Sequence, residues 1–250
     1  MARDGLSVGD CLAHANYDQV VSYVLTSIGL DYAKLPKGLI PFHHYADDIR
    51  TPFAEHLIEA AAYVQDNAHT ARVHFTVSGD YLEEIRAHID QIRGRYEQSG
   101  TRYAVSYSVQ KSSTDTIAVD ENGKPFRDEA AQLVFRPSGH GALLENLNDL
   151  KGDIIFLKNI DNVALDRLKP ETYRYKRALG GYLLELQAEL FLYLERLYQA
   201  DQKDLDQSLL SDALAFAQHK LLITPPESLR QAGQAGQAGK DEQLAFLKRK

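Results

Sequence analysis

The alternation of helical and β-rich segments between residues 51 and 158 constrains the fold more than any other feature of the sequence. Each predicted helix is followed by a run rich in β-branched and aromatic residues, and Thr51-Pro52 is a typical helix start. The predicted segments are helix 51–64, strand 71–77, helix 80–96, strand 103–109, short β runs 116–119 and 132–135, helix 142–149 and strand 153–158. This order predicts an α/β domain with a mostly parallel sheet.

The segments on either side have a different character. Residues 1–15 look irregular, residues 17–28 have helical spacing, and no buried strand is predicted before residue 36. After Asp161 the chain is helical, apart from the low-complexity segment QAGQAGQAG, which we interpret as a flexible linker. The predicted division is an α/β core at 1–168, a helical extension at 169–225, and a linker with a truncated tail at 226–250.

Composition excludes several classes of protein. The net charge of −7 gives no general footprint for nucleic acid or an anionic membrane. Cys11 is the only cysteine, so a disulfide within the chain is excluded and a reducing, cytoplasmic location is expected. We find neither a signal peptide nor an apolar run of the roughly 18 residues that a membrane span needs.

A glycine turn, Gly139-His140-Gly141, follows the predicted strand 132–135 and opens a helix. Ligands of open α/β sheets bind beyond the carboxyl ends of the strands. Glycines allow unusual dihedrals and close approach of the backbone, and a helix start adds free N–H groups. The turn therefore suits a phosphate, a base edge or a sugar hydroxyl, although a plain strand-to-helix turn has the same pattern.

Asp161 follows the predicted strand 153–158 and is suited to a hard cation. Mg²⁺ binds through one or two carboxylates and completes its shell with waters and phosphate oxygens. The alternative is an Asn/Asp turn whose side chains cap the backbone. Together with the glycine turn, Asp161 favours a nucleotide–metal site.

Two further residues are candidates. Lys37, between Pro36 and Gly38, can point at phosphates, and Gln110, at the end of the third β run, can hydrogen-bond a base edge. A solvated loop lysine and a polar strand terminus are the alternatives.

These motifs resemble a known group of enzymes. PSGHGA followed by IIFLKNIDNVA resembles the PGHGD and N-x-DN pair of eukaryotic-type UDP-sugar pyrophosphorylases, and LPKGLIPF resembles the Pro-Lys segment of sugar-nucleotide nucleotidyltransferases. More closely, LPKGLIPFH, STDTIAVD, FRPSGHGALLENLNDL and IIFLKNIDNV are similar to an uncharacterised bacterial family, the domain-of-unknown-function family numbered 4301. The similarity covers roughly residues 20–200.

The resemblance implies a Rossmann-like, nucleotide-diphospho-sugar-transferase core. By matching positions, Lys37 would face phosphates or sugar, Gln110, Gly139, His140 and Gly141 would line the nucleotide, and Asp161 would bind Mg²⁺. The implied partners are a nucleoside triphosphate and a sugar phosphate, which react with release of pyrophosphate. Such catalysis rests on positioning and charge neutralisation.

One departure from the pattern matters. Nucleotidyltransferases carry a glycine-rich loop after the first strand, whereas GLSVGD at 5–10 follows no strand and lacks the arginine. We therefore expect a fragment or shortened member without the first strand, inactive alone and marginally stable or self-associating. The alternative function is a non-catalytic module that binds nucleotides or sugar phosphates.

Overall fold

A computed structural model describes residues 5–97, 100–199, 206–231 and 236–249. The chain is a mixed α/β protein that divides into two compact units, Met1–Arg174 and Tyr175–Lys250. The helices are α1 (Val8–Ala13), α2 (Tyr17–Leu25), α3 (Pro52–Tyr63), α4 (Leu82–Glu97), α5 (Leu144–Asp149), α6 (Lys169–Gln199), α7 (Gln207–His219), α8 (Glu227–Gln231) and α9 (Gly236–Arg249). The described helices include none that is long and apolar enough to cross a membrane.

The strands form three two-stranded sheets. They are β1 (His43–His44), β2 (Ile49–Arg50), β3 (Thr70–Val77), β4 (Arg102–Val109), β5 (Thr116–Ile117) and β6 (Phe135–Arg136). Strands β3 and β4 are parallel over their full length, whereas β1–β2 and β5–β6 are antiparallel. The expected parallel arrangement is therefore present in one pair of strands.

Helix α3 begins as the sequence predicts. Thr51 is the N-cap, its side chain accepts a hydrogen bond from the backbone N–H of Ala54 at 3.4 Å, and Pro52 occupies the first turn. Such a cap satisfies one of the N–H groups that the first helical turn leaves unpaired.

Helices α3 and α4 cover one face of the β3–β4 sheet. Phe53 of α3, Phe75 of β3, and Ile85 and Ile89 of α4 form one buried cluster. Alternate residues of a strand point to opposite faces, so His74 lies on the face away from this core. There His74 hydrogen-bonds to Ser106 at 2.8 Å and to Ser108 at 2.9 Å.

The expected strand at 153–158 is wrong. Residues 153–158 contain no strand, and Ile155 and Leu157 are 40% and 65% exposed. Its apolar composition is typical of a buried strand, but a strand also needs a neighbouring ladder. The other face of the segment packs on α3, where the ring centroids of Phe156 and Tyr63 lie 5.2 Å apart.

Two expectations near the ends of the chain also need correction. The irregular region predicted at 1–15 contains α1, whose N-cap Ser7 accepts a hydrogen bond from the backbone N–H of Asp10. Helix α9 begins at Gly236, inside the predicted linker, while residues 232–235 lie outside the described residues. Burial of Leu244 against Leu197 and Leu210 offsets the cost of glycines in this helix. The predicted domain boundaries stay a prediction.

Candidate functional site

The carboxyl ends of β3 and β4 lie at the same edge of the parallel sheet. The two strands run in register to Val77 and Val109, so the chain leaves both at neighbouring points. This edge is where open α/β proteins bind ligands. Gln110 directly follows β4 there.

Lys37 is held by a tight contact between its neighbour and the core. It begins a single 3-10 turn, Lys37–Leu39, and Gly38 is buried against Phe53 of α3. A Cβ at position 38 would lie 2.5 Å from the Phe53 ring, so glycine is needed for this approach. The Pro-Lys-Gly sequence therefore fixes the backbone beside Lys37 while its side chain stays 62% exposed.

Asp161 lies on a turn that is anchored from α3. The backbone N–H of Asn162 donates to the carbonyl of Asn159 at 3.1 Å, and His56 Nε2 donates to the carbonyl of Ile160 at 3.0 Å. Ile160 also packs against the buried cluster of α3, β3 and α4. The side chain of Asp161 remains 40% exposed.

Lys37 and Asp161, predicted separately, are in contact. Lys37 Nζ donates to Asp161 Oδ2 at 2.5 Å, although 124 residues separate them. The ammonium of Lys37 is the main cause that holds the pKa of Asp161 below its usual value. Lys37 is thus paired rather than isolated in a solvated loop, and a lysine next to a carboxylate is a suitable arrangement for a phosphate with its counter-cation.

The glycine turn adopts ordinary backbone geometry. Gly139 has φ −69° and caps the 3-10 turn His140–Leu143, which leads into α5. Gly139 and Gly141 are absent from the glycines with positive φ, so neither uses the left-handed region that glycine allows. A Cβ at either position would meet nothing within 4 Å, which leaves the backbone open to a close approach. His140 is exposed beside them.

Asn146 connects the glycine turn to the end of β4. It lies on α5, is only 4% exposed, and its Nδ2 donates to Ser108 Oγ at 2.9 Å and to the carbonyl of Val109 at 3.0 Å. Gln110 directly follows Val109 in the chain. Its side-chain nitrogen is buried without a hydrogen-bond partner in the part of the chain that the structure describes. Buried polar atoms are normally paired, so Gln110 is a group for which a ligand atom would be a suitable partner.

The candidate residues therefore form two groups. Lys37 and Asp161 make one pair, while Asn146 joins α5, which follows the glycine turn, to Val109, the residue before Gln110. Within the described residues no hydrogen bond or ion pair links the two groups directly. The turns of the first group pack against the cluster of α3, β3 and α4, whereas the second group lies at the end of β4.

A buried charged network on α3 was not predicted from the sequence. Glu55 and Glu59, one helical turn apart, are both 0% exposed. Lys169 donates to Glu55 and Lys158 donates to Glu59. Nothing local in the sequence shows that residues 158–169 return to cover these glutamates. Two glutamates at i and i+4 inside an apolar helix were the one available signal.

Glu55 has further partners from the β1–β2 region. His43 Nδ1 donates to its carboxylate at 2.9 Å and the Tyr45 hydroxyl donates at 2.8 Å. Burial and the hydrogen bond to Glu55 raise the pKa of Tyr45. Arg50 lies 3.7 Å away and also pairs with Asp166 at 2.8 Å. The network therefore connects α3 with both the segment before it and the start of α6.

Comparison with protein families gives a match over almost the whole chain. The profile of the domain of unknown function DUF4301 matches residues 1–249. The chain belongs to the DUF4301 family. Comparisons with curated proteins and with solved structures found no match. Membership of DUF4301 confirms the resemblance to that family, while the resemblance to UDP-sugar pyrophosphorylases stays a prediction.

The residues of this DUF4301 chain fit Mg²⁺ only together with a phosphate ligand. The described residues contain no group of three or more His, Cys, Asp or Glu side chains that could hold a metal ion. Asp161 offers a single exposed carboxylate, which already has an ammonium partner. Because Mg²⁺ commonly takes one or two carboxylates and fills its shell with waters and phosphate oxygens, Asp161 suits a metal that arrives with a nucleotide.

Proposed function

We propose that this DUF4301 chain binds a phosphorylated nucleotide at the edge of its parallel sheet. Its parent activity would be Mg²⁺-dependent transfer of a nucleotidyl group to a sugar phosphate, on a nucleotide-diphospho-sugar-transferase-like core. The contact between Lys37 and Asp161 carries the proposal, because it joins the two residues to which the sequence pattern gives phosphate and metal roles.

The proposed roles follow from the chemistry of each group. Lys37 is a compact cation that would bind phosphate oxygens and stabilise charge that develops on them. Asp161, released from Lys37, would hold Mg²⁺, which when bound supplies further charge neutralisation. Gln110 would donate to a base edge, and the open backbone at Gly139, His140 and Gly141 would accommodate the nucleotide.

A second candidate is a binding module without turnover, and one observation favours it. Between residues 5 and 51 the described chain contains helices, a 3-10 turn and two two-residue strands, but no long strand that leads into a glycine-rich loop. Such a loop is the usual cradle for a triphosphate. The Lys37–Asp161 pair can bind a phosphate without it, but transfer needs more groups to hold the reacting phosphates.

Calorimetry and a pyrophosphate assay separate the candidates. The full chain is titrated with UTP, ATP, GTP and CTP and with their diphosphates, with and without MgCl₂. Pyrophosphate release is then followed with each triphosphate and a panel of sugar 1-phosphates. Binding with release supports the transferase, and binding without release supports the module.

Paired variants assign the site. Lys37→Met should weaken nucleotide binding with or without Mg²⁺, and Asp161→Asn should remove the gain that Mg²⁺ gives. Lys34→Met and Asp153→Asn change nearby lysine and aspartate residues and should leave binding unchanged. If no nucleotide binds, or if both site variants bind as the unaltered chain does, the proposal is wrong.

A further inference from the structure

The segment that carries Asp161 has little backbone structure of its own. Residues 153–165 contain no helix or strand, and the turn at Asn159–Asn162 is closed by one backbone hydrogen bond of 3.1 Å. A metal-binding carboxylate must be held to a fraction of an ångström to act. Something outside the segment has to fix its position.

Two side chains of helix α3 hold the segment that carries Asp161 in place. Glu59 accepts a hydrogen bond from Lys158, three residues before Asp161, and His56 donates to the carbonyl of Ile160, the residue directly before it. Glu59 is fully buried and the side chain of Lys158 is 10% exposed. The two contacts hold the segment on either side of Asn159.

Stability alone does not account for the Glu59–Lys158 pair. Removing two charges from water is costly, and replacing such a pair by apolar residues is often neutral or stabilising. Glu59 Oε1 has, in addition, no hydrogen-bond partner within the described residues. In some proteins buried polar and charged groups instead give the elements they join a unique register.

We propose that Glu59 and Lys158 are positioning residues that set Asp161 for Mg²⁺ binding beside a nucleotide phosphate. This inference rests on the proposed function, because it assigns the pair a role in the same site. The ion pair fixes the backbone at Lys158, and the chain between Lys158 and Asp161 transmits that position over one turn. Lys37 depends on a different anchor, the packing of Gly38 on Phe53, so its phosphate contact should survive loss of the pair.

The test uses the double variant Glu59→Leu/Lys158→Met in the full chain. Either single change would leave one buried charge unpaired and is expected to impair folding, whereas the double change replaces the pair with apolar groups of similar length. Ile92→Val serves as the control, since it trims the face of α4 that packs on another cluster, which contains no residue of the segment. Thermal unfolding shows that each protein is folded.

Two measurements are made on each protein. Hydrogen exchange reports the protection of amides 157–162. Calorimetry gives the dissociation constant of the diphosphate that binds most tightly among UDP, ADP, GDP and CDP, with and without MgCl₂. In the double variant we expect lower protection at 157–162, unchanged protection in β3 and β4, and an affinity gain from Mg²⁺ reduced by about tenfold or more, as for other groups that orient metal ligands. The Mg²⁺-free affinity should stay within about twofold of the unaltered chain, because Lys37 keeps its anchor.

The outcomes are separable. Unchanged exchange at 157–162 overturns the inference, as does an unchanged Mg²⁺ gain in a variant whose segment has become mobile. A loss of Mg²⁺ gain that Ile92→Val shares would assign the effect to stability and also overturn the inference. If the unaltered chain binds none of the diphosphates, the proposed function fails and the metal role fails with it, whereas the exchange data still decide whether the pair holds the segment.

Discussion

Lys37 Nζ and Asp161 Oδ2 lie 2.5 Å apart, on two turns that both pack against α3. Neither residue is buried, so the contact itself contributes little to folding. It does place a cation and an anion where the sequence pattern expects a phosphate and a metal. A ligand that carries both would exchange the ion pair for two contacts of the same kind.

Replacing Lys37 by methionine should raise the pKa of Asp161. The Lys37 ammonium is the main cause of the lowered value, so its removal should return the carboxyl towards the ordinary value of about 3.9. Carbon-13 NMR titration of the carboxyl measures this. Lys34→Met, which removes an ammonium that lies near Asp31, should leave the titration of Asp161 unaltered. An Asp161 pKa that stays depressed in Lys37→Met would show that the pair is not formed in solution.

Gly38→Ala should destabilise the protein by about 1–3 kcal/mol, the range for inserting a methyl group into a packed core. The added Cβ would lie 2.5 Å from the Phe53 ring, which is itself fully packed against Phe75. Urea unfolding measures the change in the free energy of unfolding. Gly94→Ala is the control, because a Cβ there meets nothing within 4 Å and the position lies inside α4. There alanine should be neutral or stabilising, so equal losses at 38 and 94 would contradict the packing argument.

The sequence predicts elements with local signals better than elements that depend on distant partners. Thr51-Pro52 starts α3 because both residues act on their own turn, and the β3–β4 pair follows from two runs of β-forming residues. Residues 153–158 have strand composition, but the ladder that a strand needs is a property of the neighbours and not of the segment. Local rules therefore predict a strand at residues 153–158, where the structure has neither strand nor helix.

In the candidate site, too, residues with local signals are predicted and residues that depend on distant partners are missed. Lys37 and Asp161 stand out because proline, glycine and asparagine mark their turns, although their contact across 124 residues is not a local property. Glu55 and Glu59 were missed because a glutamate on a helix is usually solvated. Their burial depends on Lys158 and Lys169, which no spacing rule connects to α3.

His88 should make the protein less stable in acid. Burial lowers its pKa below the ordinary value of 6.5, so the unfolded chain binds the proton more readily than the folded one. This penalty is absent well above pH 6.5 and grows as the pH falls through that value. His88→Gln should reduce the slope of unfolding free energy against pH between about 7 and 5. One proton can contribute at most about 1.4 kcal/mol per pH unit to this slope. The contribution of His88 should be smaller, because its side chain is only partly buried.

Urea unfolding at several pH values measures this slope. His88 Nε2 also contacts the Thr51 hydroxyl at 2.9 Å, and glutamine can keep a polar contact there. His44→Gln alters an exposed histidine and serves as the control. A slope for His88→Gln that matches the unaltered chain would count against a role for this side chain.

Asn146→Leu should destabilise the chain by about 1–3 kcal/mol, the cost of leaving a buried partner unsatisfied. The change removes both donated hydrogen bonds and leaves the carbonyl of Val109 without this donor. Asn148→Leu, two residues away on an exposed position of α5, is the control for unfolding experiments. If the two variants lose the same stability, the link between α5 and the end of β4 is not a stabilising one.

Gly139→Ala and Gly141→Ala should separate ligand binding from folding. Neither position has positive φ and a Cβ at either meets nothing within 4 Å, so unfolding free energies should change by no more than about 0.5 kcal/mol. If a nucleotide approaches this backbone, the methyl group would occupy the space that the ligand needs, and affinity should fall about tenfold. Calorimetry with the tightest-binding diphosphate measures the affinity, and urea unfolding measures the stability.

Gly123→Ala tests the opposite case. Gly123 has φ +75° in the turn between Asp120 and Lys124, so alanine there is strained although the space around it is open. That variant should lose about 1 kcal/mol of stability. It should bind nucleotide normally, since the turn lies in the connection between β5 and β6, which contains none of the candidate site residues. Affinity that is unaffected by alanine at both 139 and 141 would remove the glycine turn from the site and leave Lys37, Asp161 and Gln110 as its remaining candidates.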